Sequence, residues 1–292
     1  MSPIVASSSN DSYFWLTVGD NKNFISSNRN LILFNKHTAT IYPPTAIFPP
    51  SKFGVGYGPG ITCMLPDRDG RSVWVGYLSG WVGIVHFDGD TVKKRINTYD
   101  GLASNCMTAI ARDSSENLWF ASRMQQRIDG GVAVLNNTIL TTYFSDSDYK
   151  LFGGCNALFV DKSGMVWTHC DSGIARFDGN SWKLFDHATL SQDLPFARYS
   201  HIIQDKSGTV WFGTEGSGLL AYKDKRWYQF TTLDGLPCNS IRSLALDSKD
   251  NLWILTDNGI AMRKSDGTFY NQTRRDFINL GNKREIKQRG SR

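Results

Sequence analysis

The sequence predicts an all-β fold, a β-propeller of six four-stranded antiparallel blades, on three observations. One phrase recurs along the chain: D-K-S-G-T-V-W-F-G-T at Asp205–Thr214, D-K-S-G-M-V-W-T at Asp161–Thr168, D-S-K-D-N-L-W-I-L-T at Asp247–Thr256, D-S-S-E-N-L-W-F-A-S at Asp113–Ser122, and a longer D-R-D-G-R-S-V-W-V-G at Asp67–Gly76. With a worn copy ending at Trp15, the tryptophans fall at 15, 74, 119, 167, 211 and 253, so most intervals lie in the forties. Between the phrases, short apolar runs alternate with clusters of Gly, Asp, Asn and Ser. A period of this length with several short strands per unit is the mark of a propeller.

The first unit runs from Ile4 to Tyr42 around Trp15, and the sixth ends near Thr273. The fifth shows the logic of one unit. A strand over His201–Gln204 meets the turn Asp205-Lys206-Ser207-Gly208, where Asp bonds the backbone ahead of it and Gly accepts positive φ. Thr209–Thr214 is the second strand, Leu219–Tyr222 the third and Arg226–Phe230 the fourth. One such sheet cannot bury both of its faces, so stacked sheets are required, with the recurring Trp filling the gap between them. The repeat Asp residues read as turn formers rather than catalytic acids. A seventh blade hidden in Pro43–Gly60 is the alternative, but Pro43, Pro44, Pro49, Pro50 and Pro59 oppose regular strands there.

Asp100-Gly101-Leu102-Ala103-Ser104-Asn105 precedes the third unit and Asp234-Gly235-Leu236-Pro237-Cys238-Asn239 the sixth. This D-G-L-P-x-N phrase, an apolar strand and then D-x-x-G-x-[VL]-W-[FIV]-G-T resemble the two-component regulator propeller repeat over roughly residues 10–273. That repeat builds the sensor regions of bacterial hybrid two-component proteins, and related repeats occur in propeller lyases such as the streptogramin lyases. The resemblance implies a periplasmic or extracellular setting, a glycan fragment as ligand, and a propeller fold. It assigns no chemistry, since one fold hosts many activities.

The 292 residues divide into a propeller over 1–273 and a basic tail over 274–292. The tail has seven basic and two acidic side chains, which accounts for the whole net charge of +5. It has too few apolar residues to fold alone, and nucleic acid is expected to meet this protein only through it. No apolar run is long enough for a membrane helix, and the first nine residues lack the basic start and apolar core of a signal peptide. The five cysteines show no metal-binding spacing. Reversal of the fourth unit around Ser163 sets Cys155 near Cys170, as a cross-strand disulfide or as two small buried thiols.

The loops of such a blade alternate between two edges. The turns joining first to second and third to fourth strands are short and uniform, which suits stability and little else. The other edge is irregular. From Trp to the next repeat Gly there are six residues in the fourth and sixth units, seven in the fifth and twelve in the third. Binding residues concentrate in variable loops on a rigid scaffold, which places the functional face there, over the central channel mouth. Its capable residues are Tyr57, Trp81, Arg123, Arg127, Asp129, Tyr149, Arg198, Tyr199, His201 and Glu215. Aromatic faces with directional charged groups suit a glycan or other polar ligand, and the same set suits a protein partner.

Two function classes follow. One is a non-catalytic binding module, with a protein interaction scaffold as its variant. The other is a lyase or metal-dependent hydrolase at the channel mouth, with His169 or His201 as base, Glu215 beside it, and a divalent cation such as calcium as cofactor. His169 replaces a glycine of the second and fifth units (Gly76, Gly213), and its plainer reading is a packed, hydrogen-bonded side chain. No metal-ligand, nucleophile-elbow or P-loop motif occurs. The expectation is therefore no bound metal and a binder rather than an enzyme.

Overall fold

The structure, a computed structural model, describes residues 5–10, 13–18, 30–35, 38–43, 60–78, 82–123, 130–144, 154–185 and 199–273. These form six four-stranded antiparallel sheets in which strand order follows chain order. Sheet 1 holds β1 (Val5–Asn10), β2 (Tyr13–Val18), β3 (Asn30–Asn35) and β4 (Ala39–Tyr42). Sheet 2 holds β5 (Ile61–Pro66), β6 (Val73–Tyr77), β7 (Ile84–Phe87) and β8 (Val92–Ile96). Sheet 3 holds β9 (Met107–Arg112), β10 (Leu118–Ser122), β11 (Gly131–Asn136) and β12 (Ile139–Phe144). Sheet 4 holds β13 (Cys155–Val160), β14 (Val166–Cys170), β15 (Gly173–Phe177) and β16 (Trp182–Phe185). Sheet 5 holds β17 (Tyr199–Gln204), β18 (Val210–Thr214), β19 (Leu219–Lys223) and β20 (Arg226–Phe230). Sheet 6 holds β21 (Ile241–Leu246), β22 (Leu252–Thr256), β23 (Gly259–Arg263) and β24 (Phe269–Thr273). Residues 44–59, on which a seventh blade would depend, and the tail 274–292 lie outside the described residues. No helix among the described residues is long and apolar enough to cross a membrane.

The chain divides into two compact units, residues 1–160 with 168–184, and residues 161–167 with 185–292. In the first unit β1, β5, β9 and β13 adjoin one another in series, so the first strand of each sheet lies next to that of its neighbour. Met107 and Phe120 of sheet 3 pack with Cys63, Trp74 and Ile84 of sheet 2 in one apolar cluster. In the second unit β17 adjoins β21, and Trp211 and Leu219 of sheet 5 pack with Ile241, Leu252 and Ile254 of sheet 6.

The repeated Asp and Trp share a physical cause that turn chemistry alone does not supply. One Asp205 oxygen accepts from the Thr209 N–H (2.9 Å) and the Ser207 hydroxyl (2.7 Å), which closes the turn. The other accepts from the Trp211 indole N–H at 2.9 Å. Asp113 with Trp119 (2.9 Å), Asp161 with Trp167 (2.8 Å) and Asp247 with Trp253 (3.1 Å) repeat the bond. The six-residue spacing thus lets one carboxylate satisfy both the hairpin backbone and a buried indole. The extra residue in the second unit changes this. Asp69 takes over the turn, accepting from the Arg71 and Ser72 N–H groups, and Asp67 instead pairs with Arg112 and with His86 (2.7 Å).

The D-G-L-x-x-N phrase has a local cause of its own. Thr98–Asp100 and Thr232–Asp234 are single 3-10 turns closed by reciprocal capping boxes, with Gly101 and Gly235 both at φ 108°. The side-chain oxygens of Asn105 and Asn239 accept from the Thr98 and Thr232 N–H groups at 2.9 Å. Those asparagines are therefore engaged in a link between sheets.

The tryptophans do not all share one environment. Trp74, Trp119, Trp167 and Trp211 are buried, whereas Trp253 is 42% exposed. Sheet 6 is the last sheet of the second unit, so no other sheet of that unit follows it. Accordingly β6, β10, β14 and β18 are buried throughout, while β22 alternates between buried and exposed. The Trp15 side chain lies outside the described residues.

Candidate functional site

Four of the first strands begin with a β-bulge. In β5 Thr62 is the extra residue, in β9 Thr108, in β17 Ser200 and in β21 Arg242. A bulge re-aims its side chain away from the ladder. Thr62 turns its hydroxyl to the Met107 carbonyl (2.7 Å), and Thr108 turns its own to the Cys155 carbonyl (2.6 Å). In the first unit the bulge residue therefore bonds one sheet to the next. Arg242 breaks the pattern. It is exposed and directs a guanidinium to the turns that follow the second strands.

There Arg242 Nε donates to Asp257 Oδ1 at 2.6 Å and Nη2 to Oδ2 at 2.9 Å, a two-pronged pair, and Nη1 donates to Glu215 Oε1 at 3.3 Å. The backbone holds both acids in place. Asp257 N–H donates to the Ser240 carbonyl (3.1 Å), and the Gly216 and Gly218 N–H groups donate to the Asn239 carbonyl (3.1 and 2.8 Å). Hydrogen bonding to Asp257 raises the Arg242 pKa, and the same bonds lower that of Asp257. His201 hydrogen-bonds the Arg242 backbone. Loss of water around its ring lowers its pKa, against the opposing effect of that bond. The group therefore combines one guanidinium, two acidic side chains that it bonds and an imidazole, with side-chain oxygens able to accept from donors outside.

Of the residues the sequence singled out, the structure brings together His201 and Glu215. Arg123 lies in the first unit beside Cys106, whose thiol pKa is raised by burial against the opposing Arg123 charge. Tyr57, Trp81, Arg127, Asp129, Tyr149 and Arg198 fall outside the described residues, and Tyr199 is described only by its pairing with Thr214. His169 sits within β14 at 5% exposure rather than at an open rim. At Gly76 an added Cβ would come 2.5 Å from Cys63 Sγ and 2.8 Å from Met107 Cβ. The fourth unit has the smaller Ala157 in the place of Cys63, which relieves part of that crowding. The fourth-unit cysteines are neighbours as the reversal predicts. Both are buried and free, and a hydrogen bond between them raises the Cys155 pKa and lowers that of Cys170. No group of three or more His, Cys, Asp or Glu able to hold a metal ion occurs among the described residues. The residues that sequence reasoning missed are Arg242 and Asp257's role as its partner. Aligning the bulge positions Thr62, Thr108, Ser200 and Arg242 exposes the anomaly.

The family model for the two component regulator propeller matches residues 193–216 and 235–258, which include this cluster's Glu215 and Arg242 and its Asp257. The chain carries two-component regulator propeller repeats. Over 63 residues the chain is 36% identical to histidine kinase P4 of Formosa agariphila, a stretch covering 20% of this chain and 5% of that protein. The propeller repeats superpose on the extracellular domain of a hybrid two component system from B. thetaiotaomicron with TM-score 0.63 and 17% identity, over 90% of this chain and 39% of that one. Virginiamycin B lyase from Staphylococcus aureus gives TM-score 0.66 and 12% identity, over 93% of this chain and 84% of the lyase. At such identities the likeness concerns the fold alone. The chain thus spans a small fraction of the kinase and well under half of the sensor protein it resembles.

Proposed function

We propose that this propeller is a non-catalytic ligand-binding module of the sensor type, closed from its six sheets, with a periplasmic or extracellular setting. Its ligand is polar and rich in hydroxyls, such as a glycan fragment, and binds at the loop edge formed by Arg242, Glu215, Asp257 and His201. The observation that supports this most is the bulged Arg242. The equivalent side chains in sheets 2 and 3 hold sheets together, whereas this one organises two loop carboxylates in the open. Exposed ion pairs of this kind add little stability, so stability does not account for such a cluster. Prearranged acceptors facing solvent are what hydroxyl donors require. A glycan-array screen of the whole chain, repeated with Arg242→Ala and with Glu215→Gln/Asp257→Asn, tests the reading. Binding that falls about tenfold or more in both variants is expected from the loss of charge-assisted bonds. Binding unchanged in both removes the site, and an array without hits in which a pull-down recovers a protein through the same residues replaces the glycan by a protein partner.

A further inference from the structure

The third strand of each sheet places one side chain opposite the residue before the repeat Trp. Phe87 pairs with Val73, Leu135 with Leu118, Tyr222 with Val210 and Arg263 with Leu252, and Phe177 holds that place in the fourth unit. Four of these five residues are apolar or aromatic, and their task is to cover the preceding Trp. In the first unit Phe177 lies 5.5 Å from Trp119, and in the second Tyr222 lies 5.1 Å from Trp167. Sheet 6 alone uses a guanidinium, with the Arg263 carbon 4.9 Å from the Trp211 ring. Its cross-strand partner is Phe269, where Tyr222 has the larger Trp227. The result is a cavity of about 280 Å3 between sheets 5 and 6, walled by Trp211, Phe230, Tyr228, Lys223, Asp205 and Arg263. It opens at the edge of short uniform turns, which the sequence associates with stability alone.

The polar groups of this cavity are unequally satisfied. Asp205 is occupied by Trp211, Ser207 and Thr209, and Asp250, also on the wall, accepts from the Lys206 N–H at 3.0 Å. The cations are not. Arg263 forms no ion pair with any described residue, and its Nε is buried without a hydrogen-bond partner among them. Its guanidinium faces Trp211, Phe230 and Phe269, whose ring electrons stabilise a cation but accept no strong hydrogen bond. Burial lowers its pKa, outweighing the more distant Asp205 and Asp266. Lys223 also borders the cavity with no ion pair among the described residues. A half-buried guanidinium with no ion-pair partner among the described residues, in a cavity whose acids are already engaged, is complementary to an anion.

We propose that this cavity is a second binding site, for a small organic carboxylate, anchored by Arg263. The carboxylate oxygens accept from the two terminal nitrogens of the guanidinium, a two-point geometry that its planar fork favours. The remainder of the ligand lies against Tyr228 and Phe230, and the cavity's volume at the low end of ligand pockets limits it to about the size of one sugar ring. The site is independent of the loop-edge cluster, so either can fail without the other.

The test is ligand-observed NMR titration of the whole chain with acetate, benzoate and D-glucuronate, each against a neutral counterpart: acetamide, benzamide and D-glucose. Saturable binding of at least one carboxylate, with its neutral counterpart silent, is expected. Arg263→Met, which restores an apolar residue to the position, should weaken it about tenfold or more. Arg242→Ala should leave it unchanged. Absence of saturable carboxylate binding up to about 10 mM, the range of very weak complexes, overturns the proposal. So does equal binding of the neutral compounds, a result that needs no variant to fold, or binding that survives in Arg263→Met.

Discussion

Two slots in the second unit are built from the same repeat and end in opposite states. Trp167 is 1% exposed and meets Phe212, Tyr222 and Trp227 at 5.6, 5.1 and 6.4 Å, mostly edge to face, with Phe185 stacked at 6.1 Å. Trp211 has Phe230 at 5.8 Å and then a guanidinium and open volume. Both indoles are anchored by the same Asp bond, and both hairpins have the same turn. The difference lies in what the next sheet presents. An aromatic side chain closes the slot and turns the Trp into core. A cation leaves it partly unfilled and electrostatically unbalanced. The repeat therefore specifies where a slot lies, and the residue at one third-strand position determines whether that slot is packing or pocket.

The sharpest way to break this comparison is truncation. Trp167→Ala removes the centre of an aromatic cluster and should cost about 3–5 kcal/mol. Trp211→Ala should cost roughly 1–2 kcal/mol less, because one side of that ring already borders a cavity. Denaturant midpoints of the two variants decide it, and equal losses would mean that the two slots are energetically alike. Exchange of the discriminating residue comes next. Tyr222→Arg should destabilise by about 3 kcal/mol, since it buries a cation without a partner. Arg263→Tyr should fall within about 1 kcal/mol of the parent, as it restores the repeat's own chemistry. A large loss in Arg263→Tyr would mean that the guanidinium is a structural element of sheet 6.

The smallest expected effect is on pH. The Asp205 carboxyl, a wall of the open slot, is held below the usual carboxylate range. Burial acts to raise it, but the bonds from Trp211, Ser207 and Thr209 outweigh that. Hydrogen bonds from Asn251, chiefly, lower Asp247 to about 2. A depressed carboxyl contributes stability that is present above its unfolded value of about 3.9 and is lost as pH falls through the folded one. Melting temperature should therefore be level near neutrality and decline between about pH 4 and pH 2. Asp247→Asn should flatten that decline, and an unchanged slope in the variant would show that the turn acids are not responsible.

Much of this was readable from residues. The Asp-Trp spacing marked every hairpin from sheet 3 to sheet 6, and the fifth-unit strands lie within two residues of their expected ends. The sequence sets His201 and Glu215 among irregular loops, and in the structure both contact Arg242. Arg242 is not legible as a site residue because a bulge shifts it off the alternation by which strand faces are read. Arg263 stood in plain view, at a position held elsewhere by Phe87, Leu135, Phe177 and Tyr222. A column of repeats shows that it is unusual but not whether the guanidinium has a carboxylate to meet. Trp253 makes the same point in reverse: its phrase matches the others, yet its ring is half open to solvent.

By itself the sequence determined the unit of structure, because local causes act within one hairpin. An Asp two to six residues ahead of its donors, a Gly with positive φ and an alternating apolar run need no distant partner to specify a turn and two strands. Tertiary structure alone decided which polar side chains find partners. Asp257 and Glu215 reach Arg242 from two different turns, and among the described residues Arg263 meets three rings and pairs with no acid. Hydrogen bonding and desolvation depend on distances of a few ångströms between segments far apart in the chain, and those distances come into being only when the sheets stack.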